Sequence, residues 1–310
     1  MKPVIAPVSV EKLKSELTPN KFIRVANNGD NHIYIVHWKD SPNIIREIGR
    51  LREQTFRDAG GGTGKDCDLD EFDLSDMPYK QLIVWNPVEE EITGGYRFIK
   101  CGDSFDELGR PYLATSELFA FSDQFKKDYL PYTIELGRSF VQTKYQPSAE
   151  NRRGLFSLDN LWDGLGAIMV DNPDIKYYWG KVTMYRHFNQ EARDMILYFM
   201  NYYFPDKDKL AYPIKQLPIT HDMSAFGNSL KGLDYKEGHK ILNKNVRSLG
   251  ENIPPLLNSY MNVSPTMKSF GTALNDHFGD VEETGILVTI ADIYESKKER
   301  HVNTYLKASD

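Results

Sequence analysis

The amino-acid sequence predicts a mixed α/β (α+β) fold: a mostly antiparallel sheet covered by helices, with a helical insertion before the last two strands. Three observations lead there. Strand and helix patterns alternate only in the middle of the chain, whereas a doubly wound parallel sheet would alternate throughout. Two strand-like runs, Lys80 to Trp85 and Ile92 to Ile99, are joined by Asn86-Pro87 turn chemistry, which suits an antiparallel hairpin. Residues 205–265 interrupt the strand pattern with a proline-rich stretch and helices before it resumes. The chain reads as one enlarged domain, 1–310, with 205–265 inserted into it.

The first strand is expected at His32 to Trp38, where Ile33, Ile35 and His37 alternate with Tyr34, Val36 and Trp38. Ser41 as N-cap and Pro42 at the first helical position open a helix to about Arg57, with Ile44, Ile48, Leu51 and Thr55 at helical spacing. The turn Gly60-Gly61-Gly62-Thr63-Gly64 breaks it, and Asp66 to Asp76 follows as an acidic loop. After the hairpin come a strand at Tyr132 to Gln142, a helix at Leu158 to Val170 and a strand at Tyr177 to Met184. Asn189 then caps a helix from Gln190 to Phe204, and Pro205 lies beyond its end. Inside the insertion, Asp234-x-x-Glu237 opens a basic helix to Leu249, and a short helix runs from Pro254 to Asn262. Strands at Lys268 to Ala273 and Ile286 to Asp292 close the pattern.

Composition excludes several classes. With 38 Lys+Arg against 44 Asp+Glu, a net charge of -6, the chain lacks the basic footprint of a nucleic-acid binder. Its 18 Tyr, 16 Phe and 4 Trp supply the large apolar groups that disordered chains lack. Two cysteines, Cys67 and Cys101, make no disulfide framework and fit a reducing compartment, so a cytoplasmic location is expected. The longest strictly apolar run is six residues, Met195 to Met200, against the roughly 20 a spanning helix needs. The first 18 residues carry no signal-peptide core. Any membrane contact is therefore expected to be peripheral, at the inner membrane.

Two apparent motifs fail on their mechanics. Gly60 to Lys65 looks like a phosphate loop, but Ala59 and Asp66 stand where a Walker A motif needs a glycine and a hydroxyl. Asp66-x-Asp68-x-Asp70 looks like a calcium loop, but Glu71 and Met77 stand at the positions of its turn glycine and bidentate glutamate. The seven histidines are scattered without metal-ligand spacing, so no metal site is expected.

Four features survive. Arg52 and Phe56 lie one helical turn apart and share a face. Asp70 and Asp73 follow in the acidic loop. Gly94-Gly95-Tyr96-Arg97 sits on a strand whose glycines admit another backbone or a ligand. Glu135-Leu136-Gly137-Arg138 sits on a later strand. On a regular strand Glu135 and Arg138 would face opposite sides. A bulge at Gly137 would bring both to one cleft and free a backbone N–H, which could bind an oxyanion formed in acyl transfer.

Together these features resemble the acyl-homoserine-lactone synthase branch of the GNAT acyltransferase fold. That branch carries Arg-x-x-x-Phe, Asp-x-x-Asp, Gly-x-x-Arg and Glu-x-x-Arg, matched in order by Arg52/Phe56, Asp70/Asp73, Gly94/Arg97 and Glu135/Arg138. Asn189-Gln190-Glu191-Ala192 is similar to the Asn-x-x-Ala start of a GNAT helix. The wording at Arg52 to Asp73, Gly94 to Lys100, Glu135 to Gln142 and Gly250 to Tyr294 resembles the GNAT-like lipid N-acyltransferases more closely still. This family, often labelled hemolysins, includes the synthases of ornithine and glycine lipids. The membrane-lytic activity of that label would need a leader, a span or a free amphipathic helix, and the sequence shows none.

The resemblance implies transfer of a long-chain 3-hydroxyacyl group from a thioester to the amine of glycine or ornithine, in aminolipid synthesis. It implies no permanently bound cofactor and an acyl-pantetheine donor, on acyl carrier protein or on CoA. The CoA pyrophosphate loop is not evident between Val141 and Leu158, where Arg152-Arg153-Gly154 is the nearest candidate for a donor contact, which favours the carrier protein. Ile196 occupies the position of the usual GNAT tyrosine acid, with Tyr198 two residues on, and the lactone-synthase tryptophan is absent. A lactone-type signal synthase and a CoA-dependent N-acetyltransferase remain the alternatives. Glu135 is the expected base, Asp70 and Asp73 the ammonium holders, and Arg97 or Arg138 the carboxylate clamp. Gly137 would place the oxyanion donor, with Arg52, Phe56 and Asn189 completing the substrate site. The basic helix with Lys231, Lys236, Lys240, Lys244 and Arg247 would meet an acidic carrier protein, an anionic lipid or only water.

Overall fold

The structure, a computed structural model, describes residues 1–146 and 156–306. It divides into two units. Met1–Ala114, Pro131–Lys176 and Tyr294–Asp310 make the first, and Thr115–Leu130 with Tyr177–Ile293 make the second.

Numbered in chain order, the first unit begins with α1 (Val10–Glu16), β1 (Phe22–Val25), β2 (His32–Val36) and the long α2 (Pro42–Asp58). The one-turn α3 (Glu71–Leu74) precedes the hairpin β3 (Lys80–Asn86) and β4 (Glu91–Lys100). After β5 (Phe119–Phe121) of the second unit, the chain returns as β6 (Thr133–Val141) and α4 (Ser157–Asp171), and α9 (Glu295–His301) closes it. The strands lie in the order β1-β2-β3-β4-β6, each antiparallel to its neighbour. Their apolar side chains, Ile33, Val36, Leu82, Ile83 and Val84 among them, are fully buried.

Local chemistry explains where these helices start and stop. Ser41 stands at the N-cap of α2, as expected, but its side chain makes no capping bond. Glu16, at the end of α1, accepts instead from the Asn43 and Ile44 amides at 3.1 and 2.9 Å, placing a carboxylate on the positive end of the helix. The glycine turn after α2 wraps a carboxylate of its own. Glu53, fully buried, accepts from Thr63 N, Gly64 N and Thr63 Oγ1 at 3.0, 2.8 and 2.6 Å. A loop that resembles a phosphate cradle is thus filled by a side chain of the helix it follows. On α4, a Cβ at Gly166 would stand 2.1 Å from the backbone oxygen of His301, so only glycine lets α9 pack there.

In the second unit, β7 (Tyr177–Met184), β9 (Lys268–Asn275) and β10 (Val281–Thr289) form an antiparallel sheet with β10 in the middle, and β5 pairs with β8 (Ala211–Pro213). Trp179, 1% exposed, packs edge-on against Phe119, Phe121, Phe125 and Phe270. The helix α5 (Gln190–Tyr203) is capped by Asn189, whose side chain accepts from the Glu191 and Ala192 amides. The helical segment expected before the last two strands is present as α6 (Ser224–Leu230), α7 (Tyr235–Ser248) and α8 (Pro255–Met261). The mostly antiparallel α/β class is as the sequence predicts.

Of the elements that differ from expectation, two have a plain physical cause. The last strand begins at Val281, five residues before the expected Ile286. Its first half reads as charged, but Glu282 and Glu283 are neutralised on opposite faces of the sheet by Arg193 and Lys181. The acidic loop contains α3, because Asp70 and Asp73 cap one another across one helical turn.

Candidate active site

The site grows from this capping box in the first unit. Asp73 N donates to Asp70 Oδ1 and Asp70 N to Asp73 Oδ2, both at 3.2 Å, so the two carboxylates fix each other's backbone. Arg52 reaches them from α2. Its Nη2 lies 2.8 Å from Asp73 Oδ2 and its Nε 3.0 Å from Asp68 Oδ2, and all three side chains are fully buried. Arg97 comes from β4 and spans both acids of the box, with Nη1 2.6 Å from Asp70 Oδ1 and 3.3 Å from Asp73 Oδ2. Gln81, opposite Arg97 in the β3–β4 register, donates to Asp73 Oδ1 at 2.8 Å.

Arg138 arrives from β6 through a bulge. The β4–β6 register slips between Gly95 and Arg97, so that Arg138 and Ser139 together oppose Tyr96. The slip falls one residue later than the sequence suggested: Gly137 stays in register opposite Arg97, and Arg138 itself is left-handed, with φ 47°. Its guanidinium Nε stands 3.1 Å from Asp68 Oδ2 and Nη2 3.7 Å from Asp70 Oδ2. A Cβ at Gly137 would meet nothing within 4 Å, so the strand is open to an approaching group there. Gly94 and Gly95 serve a different purpose. Cβ atoms there would stand 2.7 and 2.8 Å from the Phe140 and Leu82 backbone oxygens, so these glycines admit neighbouring strands.

Glu135 lies two residues before Gly137 and shares its sheet face. It is 1% exposed and accepts from Tyr79 Oη at 3.1 Å. The same hydroxyl accepts from Ala114 N at 2.9 Å, which aims its proton at the carboxylate. The Tyr79 ring lies 5.1 Å from the Arg97 guanidinium, joining the Glu135 end of the site to the Asp/Arg end.

Electrostatics hold this lattice in its charged form. Burial drives the Asp73 carboxyl up, but Arg52 and Arg97 outweigh it and hold the group well below the usual carboxylate range. Asp68 follows the same pattern, with burial opposed by Arg138 and Arg52. Burial and the Glu135 charge push the Tyr79 hydroxyl well above 10, so it remains a donor at neutral pH. Counted as ionised, three guanidinia balance Asp68, Asp70 and Asp73, and Glu135, reached through Tyr79, adds one net negative charge to the constellation. Such a cluster prefers a ligand that brings an ammonium.

Most of the expected residues therefore converge: Arg52, Asp70, Asp73, Arg97, Glu135, Gly137 and Arg138 belong to one constellation. Asp73 is entirely enclosed, while Asp70 keeps 26% of its side chain exposed. Phe56 is a buried residue of α2. Asn189 lies in the second unit, its side-chain oxygen engaged as a helix cap. There too Ile196 is fully buried, and Tyr198 packs against Tyr202 and Phe226. Arg152 and Arg153 lie outside the described residues. Sequence reasoning missed Asp68, Tyr79 and Gln81. A period-2 count backward from Arg97 through the hairpin register would have found Gln81 and Tyr79 on its face.

Comparison with known proteins places this geometry in context. The acetyltransferase (GNAT) domain family matches residues 51–152, the stretch that holds most of the site. The glycine N(alpha)-acyltransferase of Phocaeicola vulgatus is 55% identical over 309 residues, 99% of this chain and 94% of that protein. The glycine N(alpha)-acyltransferase of Bacteroides thetaiotaomicron is 53% identical over 309 residues, 99% of this chain and 92% of that one. Among solved structures, the AHL synthase LasI aligns with 49% of this chain and 73% of its own, at 14% identity and a TM-score of 0.33.

Proposed function

The chain belongs to the family of GNAT-like N-acyltransferases, and we propose that within it the enzyme joins a long-chain 3-hydroxyacyl group to the amine of glycine. The observation that carries this reading is the charge-balanced Arg/Asp lattice set beside a buried glutamate on a bulged strand, whose carboxylate is the one negative charge in excess. A glycine zwitterion matches it at both ends. Arg138, 14% exposed, takes the carboxylate, and Asp70 takes the ammonium. Asp73 and Arg52 act from behind, fixing Asp70 and Arg97.

An ammonium has no free electron pair, so the first step is loss of a proton to Glu135, directly or through a water. Tyr79 holds the glutamate in place while it does so. The free amine attacks the thioester carbonyl, and an amide of the β6 bulge beside Gly137 binds the resulting oxyanion. Collapse forms the amide bond and breaks the C–S bond, the nitrogen's second proton passes to the departing sulfur, and pantetheine leaves as its thiol. The donor we propose is acyl carrier protein, since the sequence lacks an evident CoA pyrophosphate loop. The product is an amphiphile for aminolipid synthesis. No helix among the described residues is long and apolar enough to cross a membrane, and a cytoplasmic enzyme that releases product at the inner membrane fits that.

Replacing Glu135 by Gln removes the base with almost no change of shape. It should lower kcat/KM for glycine by roughly 10²-fold or more. Turnover within a few fold of the parent enzyme would reject Glu135 as the base.

A further inference from the structure

The geometry points to the outer face of α7 as the docking surface for an acidic acyl carrier protein, an inference that rests on the carrier-protein donor proposed above. At 100° per residue, Lys236, Lys240, Lys244 and Arg247 fall within an arc of about 80° along about 16 Å of helix. All four are exposed. Elsewhere in the second unit Lys181, Arg186, Arg193 and Lys268 are each held by a carboxylate, while Lys127, Lys207, Lys209, Lys215 and Lys231 are exposed but form no such helical row. None of the four on α7 has an ion-pair partner among the described residues, in a chain whose net charge is -6. Successive cations about 6 Å apart match carboxylates at helical i, i+4 spacing on a partner.

The same face is poorly made for a lipid surface. A helix that lies on a membrane needs an apolar stripe turned toward the acyl chains. On α7 the apolar positions Leu242 and Val246 are buried, and a Cβ at Gly238 would stand 2.3 Å from the Tyr203 hydroxyl of α5. The helix is already committed on its apolar side, and its exposed side is polar, with four cations against the single carboxylate of Glu237. Charge complementarity of this kind speeds encounter and weakens with salt.

The test is the triple variant K236E/K240E/K244E in the full chain, assayed with acyl carrier protein and, in parallel, with the small acyl-pantetheine thioester. Docking on α7 predicts a rise of at least 10-fold in KM for the acyl carrier protein at low salt, with its salt dependence flattened and acyl-pantetheine turnover unchanged. The neutral set K236Q/K240Q/K244Q should give a smaller rise in the same direction, which guards against a folding defect of the reversed charges. A carrier KM within twofold of the parent enzyme overturns the proposal. So does loss of binding to anionic vesicles in the variant with the carrier KM unmoved, which would make α7 a lipid face. Parent enzyme that turns over acyl-CoA but not acyl carrier protein refutes the donor reading itself, a different result from an unmoved KM.

Discussion

Arg52 and Asp73 are fully buried, Arg52 compensated by Asp68 and Asp73 together and Asp73 by Arg52 and Arg97. Replacing Asp73 by Ala leaves buried guanidinium charge behind, and should cost roughly 3–5 kcal/mol in urea unfolding. Protonation reaches the same lattice gradually. Because Asp68 and Asp73 are both held below the ordinary carboxylate range, their contribution is complete above the unfolded-state value near 4 and is lost as pH falls through the lower folded-state values. The melting temperature should therefore drop steeply below about pH 4, and Asp68→Asn should make that drop shallower. A profile flat to about pH 2 in the parent enzyme would contradict the charged lattice. At Tyr79 the effect lies in catalysis. Tyr79→Phe keeps the ring under Arg97 but removes the donor to the Glu135 carboxylate, which disfavours its ionised form. The acid limb of kcat/KM should move to higher pH, whereas a purely packing role would leave it in place. The residues we propose for the chemistry were legible in the sequence because their types and spacings are unusual together. Their supports were harder to see: Gln81 and Tyr79 share the face of Arg97 only once the hairpin register is drawn, and Asp68 lies in the loop before α3, where no periodicity marks it.

Two glycines separate packing from chemistry at the scale of elements. Gly166→Ala would drive a Cβ onto the His301 backbone oxygen, so α4 and α9 cannot both keep their places. It should destabilise by about 1–3 kcal/mol and speed hydrogen exchange in α9. Gly137→Ala meets open space, so the fold should keep its stability, while a thioester approaching the bulge would lose room and kcat/KM should fall. Equal melting temperatures with unchanged activity would remove Gly137 from the site. Elements with strong periodicity, such as α2, β7 and α5, were readable to within a residue or two. The elements that were missed or misplaced include some that hid behind polar character. The helix α1 buries only Leu13, and β10 opens with two glutamates whose partners lie far off in sequence. The Asp70-x-x-Asp73 spacing looked like a loop because its capping logic needs both carboxylates to be seen as a pair.

Over the whole molecule, the buried acids of the first unit are matched by buried or half-buried arginines. Asp68, Asp70 and Asp73 answer three arginines, and Glu53 fills the glycine turn. The unmatched cations of α7 remain outside as the surface feature of opposite sign. The motif set made family membership readable from the chain alone, but the acceptor was not, because glycine and ornithine share the zwitterion that the lattice would hold. The most direct test is a single-turnover reaction of the purified enzyme with 3-hydroxyacyl carrier protein and isotopically labelled glycine, read by mass spectrometry. We expect labelled N-acylglycine, formed roughly 10²-fold or more faster than by Glu135→Gln and in preference to any ornithine product. N-acylglycine formation by Glu135→Gln at the parent rate, or acylation of ornithine in place of glycine, would contradict the account.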